Sequence, residues 1–313
     1  MKESGYTVQK TPYDRAASPD RKALMQIVYH LGAHCTDDER LLRCLLKNRA
    51  ALAAEGIVVP GPARYRTLLR DTAAQLRGKP AGRDTQTLLL DQIIDADRAD
   101  RLIFSWDNFM GYAQGAIGAT LYPAAAQRLA AFAQVFPDSP HEFYLALRNP
   151  ATFLPAMHDK LSLRAPEAGE QTDPRSLRWS DLVRGIRDAV PDVPITVWCD
   201  EDTPLLWPDV LRAVSGHASE TQLAETTDLL SAILRPEGLV RMTAYLAENP
   251  NLDTAQRRRV TSVFLDKFAL PEAIEQEIEM PGWDEGLISD LSAAYDRDIT
   301  RIMQIQGVTV LMP

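Results

Sequence analysis

Residues 24–60 read LMQIVYHLGAHCTDDERLLRCLLKNRAALAAEGIVVP. Leu24 to Leu31 is an apolar run rich in β-formers, as a strand buried on both faces requires. Gly32 closes it. Thr36-Asp37-Asp38-Glu39 has the spacing of a capping box, in which Thr36 accepts from the N–H near Glu39 and Glu39 reaches back to the N–H of Thr36. Leu41, Leu42, Leu45, Leu46, Leu52 and Ala53 follow at helical spacing. Gly56 stands where a left-handed C-cap belongs, and Ile57-Val58-Val59 before Pro60 is a short extended exit. A strand, a tight loop and a helix in this order often hold an anion at the helix N-terminus. Here the loop, Gly32 to Glu39, is acidic.

The same punctuation continues outward. Residues 1–22 read as a poorly ordered polar leader. Residues 61–100 are helical and polar, broken by Gly78, Pro80 and Gly82. Leu102 to Ser105 is a second strand, ending at Trp106-Asp107-Asn108, and a helix spans Pro123 to Val135. Glu142 to Leu147 is a third strand, and Arg148-Asn149-Pro150 turns into another helix. Residues 164–176 read as a surface loop. A helix over Trp179 to Val190 precedes a fourth strand, Pro194 to Cys199, which ends in Asp200-Glu201-Asp202. Alternation of this kind specifies an α/β fold, a central parallel sheet flanked by helices. Ligands on such sheets bind beyond the strands' C-terminal ends, so the loops at 32–39, 105–108, 148–150 and 199–202 should share one rim. From residue 219 the chain is mostly helical, with Ser219 and Gln222 spaced as a further cap. The expected organisation is one domain over 23–313, its last third, 219–313, a helical extension.

A chain of 313 residues with a net charge of −9 is long enough for a large core and is a poor general nucleic-acid binder. Three cysteines, Cys35, Cys44 and Cys199, make no disulfide framework, and a reducing, cytoplasmic setting is expected. The first twenty residues lack the apolar run of a signal peptide, and no segment reaches the roughly eighteen consecutive apolar residues of a membrane span.

His30-Leu31-Gly32-Ala33-His34-Cys35-Thr36, then Leu41-Leu42, Asn48-Arg49-Ala50-Ala51-Leu52, Glu55-Gly56-Ile57 and Pro60 resemble the opening of bacterial P-loop sulfotransferase-like proteins. Tyr144 to Pro150 is similar to that family's second motif, which holds the 3′-phosphate of the sulfate donor. Residues 179–202 and the tail around Tyr295, Asp296, Asp298 and Gly307-Val308 are also similar. The resemblance implies that His34, Cys35, Thr36 and Arg148 would hold 3′-phosphoadenosine-5′-phosphosulfate, and that the acceptor is a hydroxyl compound. Asp107 is then the candidate general base and His158 a second acid–base candidate. The departures fall on the chemistry. Cys35 stands where the family has lysine, and Asp37-Asp38-Glu39 stands for Gly-Thr-Thr. Ala156 replaces the serine eight residues after Arg148, and the family's late Arg-Lys-Gly loop has no evident match.

A phosphosulfate needs backbone N–H groups and a cation. Losing the cation removes a charged hydrogen bond of about 1.5–3 kcal/mol. One carboxylate about 4 Å away costs on the order of 4 kcal/mol at an effective dielectric near 20, against roughly 0.3–1 kcal/mol gained from the helix terminus. The expectation is therefore a non-catalytic or repurposed binding protein with no cofactor. The alternative is an active sulfotransferase with an atypical donor site. Arg148 reads equally as an arginine paired with Asp107 or Asp200. His30, His34, Cys35 and Cys199 match no metal motif, though a metal or a reactive Cys35 thiol with a histidine base stays open. Arg257-Arg258-Arg259 reads as a solvated helix face, and the five tryptophans as core.

Overall fold

The computed structural model describes residues 24–162, 172–224, 226–274, 278 and 280–313. Among the described residues six strands form: β1 (Gln26–His30), β2 (Ile57–Val58), β3 (Arg101–Ser105), β4 (His141–Leu147), β5 (Ile195–Cys199) and β6 (Val308–Leu311). They make one sheet in the order β2-β3-β1-β4-β5-β6, and every pairing is parallel. Before β3 lie α1 (Arg40–Lys47), α2 (Arg49–Ala54), α3 (Pro62–Leu76) and α4 (Arg83–Ile93). Then come α5 (Ala125–Ala133), α6 (Pro150–Ser162), α7 (Trp179–Ala189) and α8 (Thr203–Ser215). The C-terminal part holds α9 (Asp228–Ser231), α10 (Pro236–Glu248), α11 (Thr254–Phe268), α12 (Pro271–Ile274) and α13 (Glu285–Ile302). The chain is an α/β protein. No described helix is long and apolar enough to cross a membrane.

Strand side chains alternate between two covered faces, which is why the strands read as unbroken apolar runs. Tyr29, Phe104, Phe143 and Val197 enter the larger core with residues of α3, α5, α7 and α13. Val28, Ile103, Ala146 and Trp198 enter the other with residues of α1, α2 and α8. Trp106, Trp179, Trp198 and Trp207 are buried and Trp283 packs half-buried on the core, as expected. Gly56 has a φ of +76°, and a Cβ there would meet Asp100 Oδ2 at 2.6 Å. The turn into β2 thus needs glycine.

Four expectations change. The extended exit after Gly56 is a true edge strand, since Ile57 and Val58 pair with Arg101 and Leu102. The helical tail ends at Ile302, and Val308–Leu311 pairs with β5. No helix begins at Ser219; the next starts at Asp228, because α8 stops on Gly216 and Ala218 N–H is taken by Glu55. Of the arginine run, Arg258 is an ion-paired strut, 3.0 Å from Asp209 and bonded to the Met312 carbonyl. The leader (1–22) and residues 164–171 of the expected loop lie outside the described residues. The rest of that loop includes a short 3-10 turn, Pro174–Ser176.

His141 opens β4, stacked on Tyr29 at 5.9 Å, with a buried Nε2 that finds no partner among the described residues. Burial pulls its pKa down to about 4. A depressed imidazole pKa stabilises the fold fully above about pH 6.5, and the contribution is lost as pH falls toward 4. Asp200, raised to about 7, works in the opposite direction across this window. Comparison of variants therefore isolates the imidazole. We expect His141→Phe to flatten, by a few kcal/mol, the loss of unfolding free energy between pH 6.5 and 4 in denaturant titrations. A slope equal to that of the wild type contradicts this.

Candidate functional site

β1 connects to the left of the sheet and its neighbour β4 to the right, so the crevice for a ligand lies at their C-terminal ends. The predicted rim assembles there. Ala146 N–H donates to Gly32 O at 2.7 Å, Trp106 N–H to His30 O at 3.1 Å and Asn149 N–H to Glu201 Oε1 at 2.7 Å. Gly32 has a φ of +90°, and a Cβ on it would sit 3.3 Å from Asp107 Cα. The loop after β1 can pass the loop after β3 this closely only without a side chain.

The loop does not close as a capping box. Cys35, Asp38 and Glu39 all take left-handed backbone conformations, with φ of 57°, 47° and 62°. Two consecutive left-handed residues break the helix backward from Arg40, so α1 starts later than Thr36 and Glu39 would place it. Thr36 Oγ1 instead donates to Ala33 O at 2.8 Å. Glu39 turns out to Arg66 at 2.6 Å. The cap falls to Asp37, whose Oδ2 accepts from Leu41 N–H at 2.9 Å while its carbonyl accepts from Arg40 N–H. A carboxylate of the chain itself thus sits on the helix N-terminus.

Arg148 lies on the same crevice. Its guanidinium donates to the Cys35 carbonyl, and its Nε to Thr152 Oγ1 at 3.1 Å. Trp179 Nε1 fixes the Arg148 carbonyl at 2.8 Å. The cation expected to hold a phosphate is holding the loop. Cys35 Sγ lies 3.6 Å from Ala156 O and 3.7 Å from Met157 Sδ. Burial pushes its pKa up, against the pull of Lys160 and Arg148.

His34, expected to face a donor, is 1% exposed and turned inward. Its N–H donates to Tyr122 Oη at 3.0 Å and its Nδ1 lies 2.8 Å from the same oxygen, the rings stacked within 8°. Nε2 faces acceptors, Asn108 Oδ1 at 3.4 Å and Asp107 Oδ2 at 3.8 Å. Asn108 Nδ2 donates to Asp107 Oδ1 at 2.9 Å, which fixes the amide's orientation. His34 is therefore assigned as the Nε2–H tautomer, with Tyr122 donating to Nδ1. Burial lowers the His34 pKa while Asp107 opposes the shift, and burial keeps the Tyr122 phenol protonated. Lys160 Nζ stands 3.6 Å from Asp107 Oδ2. Asp107 and Lys160 are the half-exposed members of this network that a solute can reach, while His34 and Tyr122 are buried.

The remaining candidates do not join this group. His158 is exposed on α6, two residues from Lys160 and so roughly 200° round the helix from it. His30 is buried on the opposite sheet face, its Nδ1 2.8 Å from Ser105 Oγ, stacked on Trp198. Cys199 is buried beside Tyr295. The group of His30, His34, Cys35 and Cys199, left open as a metal or thiol site, is thus split, and Cys35 Sγ contacts Ala156 O and Met157 Sδ. Among the described residues no group of three or more His, Cys, Asp or Glu side chains could hold a metal. Asp200 is raised to about 7 by burial and by neighbouring Glu201, and Arg148 opposes the rise. Sequence reasoning missed Tyr122 and Lys160. The Tyr122-Pro123 pair announced only a helix start, and its contact with His34 spans 88 residues.

Tyr122→Phe strips one buried N–H and one buried ring nitrogen of their partner. We expect a loss of about 2–4 kcal/mol in unfolding free energy, read by chemical denaturation. A loss under about 0.5 kcal/mol, the size of an inert substitution, contradicts the assigned network.

Comparison with protein-family models, curated proteins and solved structures finds no match to this chain in any of the three.

Proposed function

We propose that this chain is a binding or interaction protein on a sulfotransferase-like α/β scaffold, with its phosphosulfate loop repurposed to hold the rim closed. One observation carries the reading. The two groups a donor would need, the α1 N-terminus and the Arg148 cation, are engaged by the chain's own Asp37 carboxylate and Cys35 carbonyl. An entering phosphosulfate would have to break these charged hydrogen bonds, each about 1.5–3 kcal/mol. It would also stand close to Asp37, and at about 4 Å like charges repel by on the order of 4 kcal/mol. Isothermal calorimetry and thermal melts with 3′-phosphoadenosine-5′-phosphosulfate and its desulfated product should give no heat and no rise in Tm. Micromolar affinity for either overturns the reading.

A second reading, sulfuryl transfer to a hydroxyl acceptor from an atypical donor site, is favoured by one feature. Asp107 stands half-exposed on the rim, backed by His34 and flanked by Lys160, where a base for an acceptor hydroxyl would be useful. This reading requires Arg148→Ala to abolish donor binding, and Asp107→Asn to remove turnover while donor affinity stays. If donor leaves the Tm of the wild type unchanged, this reading is lost.

A further inference from the structure

A groove of about 610 Å³ runs between α3 and α5, lined by none of the rim residues described above. Its floor is small, with Ala74 and Ala131 among the lining residues, and its walls carry Arg70, Arg77 and Arg128 with no carboxylate among them. Of the cations in residues 62–83, Arg64, Arg66 and Arg70 are ion-paired with Asp95, Glu39 and Asp71, whereas among the described residues no carboxylate pairs with Arg77, nor with Arg128 across the groove. We propose that this groove docks an acidic peptide segment of a partner protein, whose carboxylates meet Arg77 and Arg128. The inference goes beyond the reading of the loop, because it names a partner chemistry at a groove lined by other residues.

Arg128 is the anchor. Its Nε donates to Phe109 O at 3.1 Å and its Nη2 to Asn108 O at 2.8 Å. The guanidinium lies 5.5 Å from the Tyr112 ring centre and 5.9 Å from that of Phe132. Two neutral carbonyls and two rings hold the fork rigid. Among the described residues no carboxylate comes within ion-pair distance of it, although it is half-buried. A partly desolvated cation without a counter-charge favours an anion brought from outside, and a fixed fork loses little freedom in binding a carboxylate. Arg77, exposed at the left-handed end of α3, adds a second charge at the mouth.

The groove's form selects a peptide. A site for a small molecule encloses most of its ligand, and this one is open along two helices. The small floor admits a close-lying backbone. A nucleic acid would also meet the arginines, but the aromatic in the groove's lining, Phe132, is buried, so bases find no ring there to stack on.

The test is fluorescence anisotropy on the full chain. The probe is a fluorescein-labelled Glu/Ala peptide of about twelve residues, roughly 18 Å as a helix. The all-Gln counterpart and a single-stranded oligonucleotide of equal charge serve as competitors. The proposal expects saturable binding of the Glu peptide, at least about tenfold weaker binding of the Gln peptide, and affinity that falls with added salt. Arg77→Glu, on an exposed side chain, should weaken the Glu peptide about fivefold or more with Tm unchanged. Arg128→Gln should weaken it further. No saturable binding, equal affinity for the Gln peptide, tighter binding of the oligonucleotide, or an Arg77→Glu variant that binds like the wild type each overturns the proposal. None of these readouts uses the sulfate donor, so failure here and failure of the loop reading are told apart.

Discussion

The Arg148 guanidinium on the Cys35 carbonyl joins the end of β4 to the loop after β1, across the crevice where the sheet's connections diverge. That contact sets what the rim can do. Cys35 is left-handed, which exposes its carbonyl to the arginine. With the carbonyl held, the chain doubles back through Asp38 and Glu39 and delivers Asp37 onto the first turn of α1. A loop of the same length with glycine at these positions would be free to turn its N–H groups outward. This loop spends left-handed conformations on residues with side chains, a strain that a well-fixed surround must support. Tyr122 beneath His34 and Trp179 behind Arg148 provide that surround.

The C-terminal third is part of the same frame. Glu201 accepts from Asn149 N–H and from Tyr295 Oη, and Asn149 Nδ2 bonds Ser292 at 2.9 Å, so α13 is tied to the turn that carries Arg148. Asp298, buried on α13, accepts from Ser180 N–H at 3.0 Å and Ser180 Oγ at 2.5 Å. The residue flanking α7 is Arg178, which has no acceptor to offer. A carboxylate from 118 residues away therefore supplies the cap. β6 then adds a sixth strand beside β5. The rim, its backing helices and the chain's end form one connected structure.

The strands β1, β3, β4 and β5 were legible because each is an apolar run with a polar stop. The ends of these runs correctly placed the rim loops. Ile57-Val58 carried too few residues to announce a strand, and Val308–Leu311 followed a long helical stretch that masked it. The capping-box pattern at Thr36 and Glu39 was a true sequence signal. It was overridden by left-handed turns at Asp38 and Glu39, which no local pattern encodes. Arg148 was found at its expected place with an unexpected partner. His34 was singled out, but its inward orientation depends on Tyr122, and Lys160 reaches Asp107 from a helix more than fifty residues on. Such contacts follow from the strand order and are invisible in any window of sequence.

The central claim is that the α1 N-terminus and the Arg148 cation are already engaged within the chain, by the Asp37 carboxylate and the Cys35 carbonyl. The most direct measurement is an NMR titration of the backbone amides of residues 33–41 and of the Arg148 side chain with 3′-phosphoadenosine-5′-phosphate. The account predicts that these resonances stay in place up to millimolar ligand, and that the Leu41 amide is protected from exchange in the wild type but not in Asp37→Ala. Saturable shifts of His34 to Leu41 at micromolar ligand, with Arg148 moving alongside, would contradict it.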